Sequence, residues 1–306
     1  MSANKHELLK NYKKNIYLIL MLLPGILLLF IFKYIPMYGV CIAFKDFRMM
    51  DGIFQSPWVG MKYFKQLFGG NDFLNAFKNT LTISLLKLAF GFPAPIILAL
   101  LLNEVRIKMF KKIVQTFSYI PYFFSWVVLS GIITMLFANK GPVNELLMLC
   151  GAEKPVEFFA DGTLFTVMLI VTSIWQSCGW NSILYLAAIS GIDESLYEAA
   201  RMDGAGKWRQ TLNITLPALI PTIVTVFILN LGSVMNAGFD QIYNLYNPMV
   251  YEVTDIIDTY VLRKMQVMDY SIGTAAGLFK SVISMLLIVG TNKFVSKISD
   301  SELGIW

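Results

Sequence analysis

Six long stretches of the chain are almost wholly apolar, and polar connections that carry most of the charged residues separate them. A membrane-spanning helix needs about 20 apolar residues. Because backbone polar groups inside a bilayer must be satisfied within the segment, stretches of this length predict helices. The predicted spans are 16–32 continuing through 35–44, then 80–102, 113–137, 164–189, 216–237 and 272–295.

Composition agrees with a membrane protein and excludes several other classes. Of the 306 residues, 56% are hydrophobic and 15% are charged, and the mean hydropathy is +0.61, which excludes a water-soluble globule. His6 is the one histidine, and Cys41, Cys150 and Cys178 form no Cys-x-x-Cys pair. We therefore expect no zinc site, no histidine catalysis and no cofactor in this chain.

Lysine and arginine predict the orientation of the chain. When the N-terminus is placed in the cytoplasm, the inside connections carry thirteen of these residues and the longer outside connections carry nine. Both termini are therefore predicted to be cytoplasmic. This assigns a cytoplasmic tail to 1–15, a six-helix membrane domain to 16–297 and a short tail to 298–306. Basic residues beside apolar segments are typical of membrane proteins, so a nucleic-acid partner is not expected.

The inside connection 190–216 differs from the others because it is long and rich in charge. Its middle, Glu194–Met202, predicts a short surface helix that ends before Gly204 and Gly206. A soluble partner is expected to dock here, because two alanines let a helix lie close in a groove, a glutamate offers charge and a glycine permits a sharp turn. The loop reads Glu198-Ala199-Ala200-Arg201-Met202-Asp203-Gly204, followed after nine residues by Ile214-Thr215-Leu216-Pro217.

These positions match the EAA-x3-G-x9-I-x-LP signature, so the chain resembles the permeases of binding-protein-dependent ABC importers. A bare Glu-Ala-Ala would only indicate an amphipathic connector. Further segments, Ile120-Pro121, Gly141-Pro142-Val143-Asn144 and Trp175 with Gly179 and Asn181, resemble carbohydrate importer permeases. The N-terminal third, with Tyr34-Ile35-Pro36-Met37-Tyr38-Gly39, resembles the LplB-like permeases for complex saccharides in the maltose-importer superfamily.

The resemblance implies an all-α integral membrane protein with the maltose-importer type of permease fold, spanning a bacterial plasma (inner) membrane several times. It implies a second, different permease, two ATPase subunits or domains that bind ATP and Mg, and an extracellular solute-binding protein. This chain carries no G-x-x-x-x-G-K-[ST] motif of its own. The residues that the resemblance assigns to coupling with the ATPase are Glu198, Ala199, Ala200, Arg201, Asp203 and Gly204.

Polar and aromatic residues inside the spans are the candidates for a substrate pathway, because sugar sites combine aromatic faces with amide and hydroxyl groups. Resemblance to the maltose permease assigns substrate contacts to Asn230, Ser233, Ser177 and Tyr122. Two asparagine contacts of that permease fall here on Val234 and Ala237, so a maltose pocket is not expected. The remaining candidates are Asn236, Phe239 and Asp240 on span five, and Trp175, Gln176, Trp180 and Asn181 on span four, which alternatively bridge helices.

Lys87 and Lys280 lie about 10 to 12 Å inside the outer ends of their predicted spans. An uncompensated charge at that depth is costly. One explanation is a pairing with a carboxylate such as Asp240, and another is that the end of the span lies closer to the lysine than the apolar pattern indicates. The sharper hypothesis is that either lysine faces the aqueous cavity and attracts an acidic, uronate-containing oligosaccharide.

The sequence thus predicts the permease subunit of an ATP-driven oligosaccharide importer that contacts membrane lipid. One alternative is an ABC importer permease for an amino acid, a peptide or a phosphate ester. A remote alternative is a polytopic membrane enzyme built on Glu252, Asp255 and Asp258, whose spacing allows all three carboxylates to lie along one helix flank.

Overall fold

The computed structural model describes residues 15–298, so the predictions for the two tails fall outside it apart from one residue at each boundary. Within that range the chain is helical, and its only β-type contact is an isolated bridge between Lys45 and Trp58. The α-helices are α1 Ile16–Leu29, α2 Gly52–Gln55, α3 Lys62–Gly69, α4 Asn71–Gly91, α5 Pro93–Glu104, α6 Lys108–Tyr119, α7 Trp126–Phe137, α8 Pro142–Leu149, α9 Gly162–Ser190, α10 Glu194–Met202, α11 Lys207–Gln210, α12 Leu216–Gly232, α13 Phe239–Leu245, α14 Tyr251–Thr254, α15 Ile257–Gln266 and α16 Tyr270–Ile298.

Six helical segments of the described chain are long and apolar enough to cross a membrane. They are Ile16–Phe44, Asn71–Glu104, Trp126–Leu149, Gly162–Ser190, Lys207–Gly232 and Tyr270–Lys293. The number of spans and the all-α class are therefore confirmed, whereas the side on which the termini lie stays a prediction. The π segment Phe30–Tyr34 and the 3₁₀ segment Ile35–Phe44 continue the first span, and the π segment Thr211–Thr215 joins two helices in the fifth. The short 3₁₀ turns Ile120–Phe123 and Pro248–Val250 lie outside the spans.

The prediction of one continuous helix over 113–137 is wrong. Helix α6 ends at Tyr119, a 3₁₀ turn follows, and the backbone is extended at Phe124 and Ser125 before α7 begins. Pro121 lies in that turn, where its missing N–H removes a helical hydrogen bond. The apolar composition alone gave no sign of this break, and the span instead extends through α7 into α8.

Helix α9 is the centre of the fold and packs against α4, α5, α6 and α12. It approaches α6 closely at Gly179, where an added Cβ would clash with the carbonyl oxygen of Ser118. Helix α1 is the opposite extreme, because none of its side chains is buried. The first span joins the rest of the protein through Ile35–Phe44, which packs on α16.

We expect Gly179→Ala to destabilise the protein, because the added methyl group must displace the backbone of α6. Overpacking of this kind costs about 1–3 kcal/mol. The measurement is the thermal unfolding temperature of the purified protein in detergent. Gly131→Ala on α7 is the matched control, since a Cβ there meets no atom within 4 Å. Equal unfolding temperatures for the two variants would contradict the predicted contact.

Candidate substrate cavity and coupling loop

A cavity of about 630 Å³ lies between α4, α5, α9 and α12. Its volume is within the range of small-molecule sites, which is about 300–1,000 Å³. The lining mixes apolar side chains with hydroxyl and amide groups, and its polar members are Ser84, Lys87, Ser173, Ser177, Asn181, Asn230, Ser233 and Asn236. The structure therefore brings together residues from three spans that the sequence analysis predicted separately as parts of a substrate pathway.

One face of α9 supplies its part of the lining. Ser177, Trp180 and Asn181 follow the i, i+3, i+4 spacing that puts side chains on one side of a helix. Trp180 stacks in parallel on Tyr122, with ring centroids 4.9 Å apart and planes 6° apart. Tyr122 is outside the lining itself but holds this indole in place, so four of the predicted residues form one unit.

Trp175 and Gln176 do not line the cavity, which corrects two of the predicted positions. Two residues turn a helical side chain by about 200°, so Trp175 points away from Ser177 and is half exposed. Gln176 lies beside the cavity wall, where its Nε2 donates to the carbonyl oxygen of Tyr122 at 3.5 Å. The helix-bridging alternative describes Gln176 better than a pocket role.

On span five the lining stops sooner than predicted. Helix α12 ends at Gly232, and Asn230, Ser233 and Asn236 line the cavity around that end. Gly238 then turns the chain with φ +90°, a conformation that favours glycine. Phe239 and Asp240 consequently belong to α13 and lie outside the cavity, which corrects both predictions.

Lys87 is the one charged residue among the described residues that line the cavity. Its ammonium donates to the carbonyl oxygen of Ala237 at 2.7 Å and to Oε1 of Gln241 at 2.5 Å. Gln241 in turn donates through Nε2 to the Leu169 carbonyl oxygen at 2.8 Å and to Thr172 Oγ1 at 2.9 Å. Lys87 takes part in none of the ion pairs of the described chain, so the predicted pairing with Asp240 is wrong.

The sequence did not identify Gln241 as a site residue, because it belongs to no local motif. Gln241 is buried, and the one nearby feature that the sequence shows is Gly238, three residues earlier, where the chain turns before α13. Its role depends on contacts between segments more than sixty residues apart in the chain. Only the fold brings these groups together.

Lys280 lies apart from the cavity and is neutralised. Its ammonium donates to both carboxylate oxygens of Asp258, at 2.6 and 2.7 Å. The hypothesis that Lys280 faces the cavity and attracts an acidic oligosaccharide is therefore wrong. The alternative, a pairing with a carboxylate, is correct, although the partner is Asp258 and not Asp240. Of the two intramembrane lysines, only Lys87 presents a charge without a carboxylate.

The acidic cluster of the enzyme alternative is divided in the structure. Helix α14 ends at Thr254, the backbone is extended at Asp255, and Asp258 belongs to α15, so the three carboxylates do not share a helix flank. Asp255 forms a bidentate pair with Arg263 at 2.5 and 2.6 Å, and these hydrogen bonds raise the pKa of the guanidinium. Residues 15–298 contain no group of three His, Cys, Asp or Glu side chains that could hold a metal ion.

The predicted surface helix is confirmed as α10, Glu194–Met202. Asp193 is its N-cap and accepts from the Ser195 backbone N–H at 3.0 Å, a hydrogen bond that lowers the pKa of the carboxyl group. Gly204 ends the helix with φ +75°, and Ala205 N–H returns to the Ala200 carbonyl oxygen at 2.8 Å. This is the glycine C-cap that the motif predicts.

The predicted coupling residues lie on the exposed side of a loop that is held to two spans by side-chain contacts. Glu198, Ala199, Arg201 and Asp203 are exposed together with Gly204, and Ala200 is partly buried. Beneath them the Tyr197 hydroxyl lies 2.9 Å from Thr215 Oγ1, just before α12 begins. Lys207 forms an ion pair with Glu104 at the end of α5, at 3.1 Å. The loop is therefore tied to two spans while its motif face stays open.

Six spans, a cavity between them that mixes polar and apolar side chains, and an exposed, braced surface helix are features of a membrane transport subunit. The chain belongs to the family described as binding-protein-dependent transport system inner membrane component, whose model matches residues 91–300. It is therefore a multi-pass permease subunit of the bacterial inner membrane and not an enzyme, as the sequence resemblance implied.

Individual relatives agree with that family over nearly the whole chain. Protein LplB of Bacillus subtilis is 46% identical, with 95% of this chain and 91% of that protein covered. The polygalacturonan/rhamnogalacturonan transport system permease protein YteP of Bacillus subtilis is 44% identical, with 94% and 90% covered. A crystal structure of a bacterial ABC transporter involved in the import of the acidic polysaccharide alginate matches with a TM-score of 0.89 at 40% identity, covering 96% of this chain and 99% of that one.

We expect Lys280→Met to lower the stability of the protein without a selective effect on any substrate. Removing one member of a partly buried ion pair leaves the other charge uncompensated, at a cost of about 2 kcal/mol. A double-mutant cycle of melting temperatures with Asp258→Leu measures the coupling, and Lys293→Met on the exposed face of the same helix is the control. Additive effects of the two changes would contradict the ion pair.

Proposed function

We propose that this chain forms half of the translocation pathway of an ATP-driven importer for acidic, uronate-containing oligosaccharides. A relative named for polygalacturonan/rhamnogalacturonan transport and a structural match from an alginate importer support this substrate class. The observation that carries the proposal is the position of Lys87, a charge without a carboxylate partner in a cavity wall that also carries hydroxyl and amide groups.

The cavity offers the three kinds of contact that an acidic sugar needs. An ammonium has three N–H donors, and two are used by Ala237 and Gln241, so one remains for a carboxylate. The exposed side chains of Asn230, Ser233 and Asn236 present amide and hydroxyl groups from the cavity wall. Trp180, stacked on Tyr122, provides a flat apolar wall for a pyranose ring.

The remaining parts of the importer are supplied by other chains in this proposal. A second, different permease completes the pathway, two ATPase subunits or domains bind ATP and Mg, and a solute-binding protein delivers the oligosaccharide. The name of the family supports the dependence on a binding protein. Both termini and the α10 loop face the cytoplasm, where the basic residues are concentrated.

The coupling residues of α10 seat in the ATPase in this proposal. Closure of the ATPase pair moves α10 as a rigid body. The contact of Tyr197 with Thr215 carries the movement into α12, and the ion pair of Lys207, in the same loop, with Glu104 carries it into α5. Asn230, Ser233 and the rest of the cavity wall on span five lie at the far end of α12. ATP hydrolysis is thereby linked to the shape of the cavity.

An importer for a phosphate ester is the other candidate that Lys87 would suit, since a phosphate is also an anion. Amide and hydroxyl groups around the cavity, together with the Trp180 face, favour a saccharide instead. The two candidates differ in one measurable property, because a phosphate ester offers its charge at one end and an oligouronate repeats it along the chain.

We expect Lys87→Met to reduce uptake of an oligogalacturonate about tenfold, because a charge-assisted hydrogen bond worth about 1.5–3 kcal/mol is lost. Uptake of the methyl-esterified oligomer, which has no carboxylate, should change much less. The measurement is transport by proteoliposomes that contain the complete importer.

Two variants control this experiment. Lys87→Arg keeps the charge and should keep the preference for the acidic oligomer, and Lys280→Met removes a lysine that Asp258 already neutralises. If Lys87→Met lowered uptake of both oligomers by the same factor, the lysine would act on the fold and its role toward a carboxylate would be wrong.

We expect Glu198→Lys to reduce ATP-dependent uptake by about tenfold or more. The exposed carboxylate faces the ATPase in this proposal, so reversing its charge opposes docking. Co-purification of the ATPase with the tagged permease should fall in parallel. Glu194→Lys is the matched control, since it reverses an exposed charge on the same helix outside the motif. Uptake that survives Glu198→Lys would show that α10 is not the coupling helix.

A further inference from the structure

Four basic side chains lie close together in the sequence where the chain passes from span two into α6. They are Arg106, Lys108, Lys111 and Lys112, and we call this set the basic patch. Lys111 is partly buried and the other three are exposed. None of them takes part in an ion pair of the described chain. The basic patch therefore presents its positive charge to the surroundings of the protein.

The neighbouring sequence offers the basic patch no free carboxylate. Glu104 is the one acidic residue between positions 73 and 144. Lys207 already pairs with it at 3.1 Å, and the first turn of α6 holds no acidic residue. Lysines three or four positions apart on a helix repel each other. An anion from outside the chain would relieve this repulsion.

The basic patch lies at the same face of the membrane domain as the α10 loop. The ion pair between Lys207 and Glu104 joins that loop to the end of α5, two residues before Arg106. Trp208, which follows Lys207, is exposed, and tryptophan is enriched at the boundary between membrane and water. This is the face that the proposed function assigns to the cytoplasm.

The packing of α6 on α9 fixes the depth at which α6 begins. Ser118 of α6 meets Gly179 of α9, and both helices have one end at this face, because α9 leads into the α10 loop. The rise from Lys108 to Ser118 is about 15 Å, and the rise from Gly179 to the end of α9 at Ser190 is about 17 Å. Helix α6 thus begins at the level where span four ends, so the basic patch lies beside the lipid headgroups.

Helix α6 exposes an apolar row next to its lysines. Met109, Ile113 and Phe117 are exposed and follow the i, i+4, i+8 spacing that forms one line along a helix. Lys108 and Lys112 have the same spacing one position earlier, which places them on the adjoining line. An apolar line beside basic side chains is typical of a helix in the membrane interface. The two lines suit the acyl chains and the headgroup of the same lipid.

We propose that the basic patch binds the phosphate groups of anionic lipids, while the apolar row of α6 contacts their acyl chains. Ammonium and guanidinium groups form charge-assisted hydrogen bonds with phosphate oxygens. Clusters of four or more basic residues beside a membrane span attract anionic headgroups in this way. The inference uses no residue of the cavity, so it does not depend on the proposed substrate.

The ATPase is the other occupant that a basic surface at this face can contact. A water-soluble protein would cover the cations and leave the adjoining apolar row in the membrane, whereas a lipid covers both. The continuity of the two rows therefore favours lipid. A zwitterionic lipid would suit the apolar row alone, because its headgroup carries no net charge. The negative charge of the headgroup is thus the property that the basic patch selects.

The test measures dissociation constants of single lipids for the purified full-length protein by native mass spectrometry, with phosphatidylglycerol and phosphatidylcholine as the probes. We expect Lys108→Gln/Lys112→Gln to weaken phosphatidylglycerol binding about tenfold, because each basic residue at a membrane surface strengthens the attraction of anionic lipid several-fold. Phosphatidylcholine binding should not change. Lys108→Arg/Lys112→Arg keeps both charges and should keep the wild-type affinity. Lys140→Gln/Lys154→Gln is the matched control, since it removes two exposed lysines from the turns on either side of α8.

Three results would overturn this site. The first is a phosphatidylglycerol affinity that is the same in the wild-type protein and in Lys108→Gln/Lys112→Gln. The second is an equal loss in the two glutamine variants, since net charge alone would then account for the binding. The third is a loss of ATPase co-purification in Lys108→Gln/Lys112→Gln without a change in lipid affinity, which would assign the basic patch to the ATPase.

Discussion

The contact between Lys87 and the segment around Ala237 and Gln241 is the interaction on which the wall of the cavity depends. A lysine inside an apolar span is costly unless acceptors surround its ammonium. Here a backbone carbonyl and a buried amide supply them, and the same amide reaches across to Leu169 and Thr172. Lys87, together with Gln241, therefore joins span two, span four and the segment after span five at the wall of the cavity.

The cavity and the α10 loop are connected by a single helix. α12 begins one residue after the Thr215 that contacts Tyr197, and it ends beside the asparagine and serine of the cavity wall. A helix of 17 residues is about 25 Å long. Because one helix spans this distance, a displacement at the loop reaches the cavity wall through α12. The bracing ion pair between Lys207 and Glu104 spreads the same displacement to α5.

Sequence reasoning was accurate where the signal is local. Apolar length predicts the six spans, and α10 has the predicted bounds because its N-cap and its glycine stop are written in adjacent residues. It failed where the outcome depends on distant groups, as for the partner of Lys87, the partner of Lys280 and the extended backbone at Ser125. Trp175 and Trp180 illustrate this limit of sequence reasoning within one helix. Their residue type makes both of them candidates for the cavity, and only their positions around the helix relative to Tyr122 distinguish them.

Helix α1 buries no side chain against the rest of the chain. Its stability comes from the bilayer, which satisfies an apolar helix without help from tertiary packing. The first span can consequently enter the membrane as soon as it leaves the ribosome, before any residue of the cavity has been synthesised. Ile35–Phe44 then offers the surface on which α16, the most C-terminal helix of the described residues, packs.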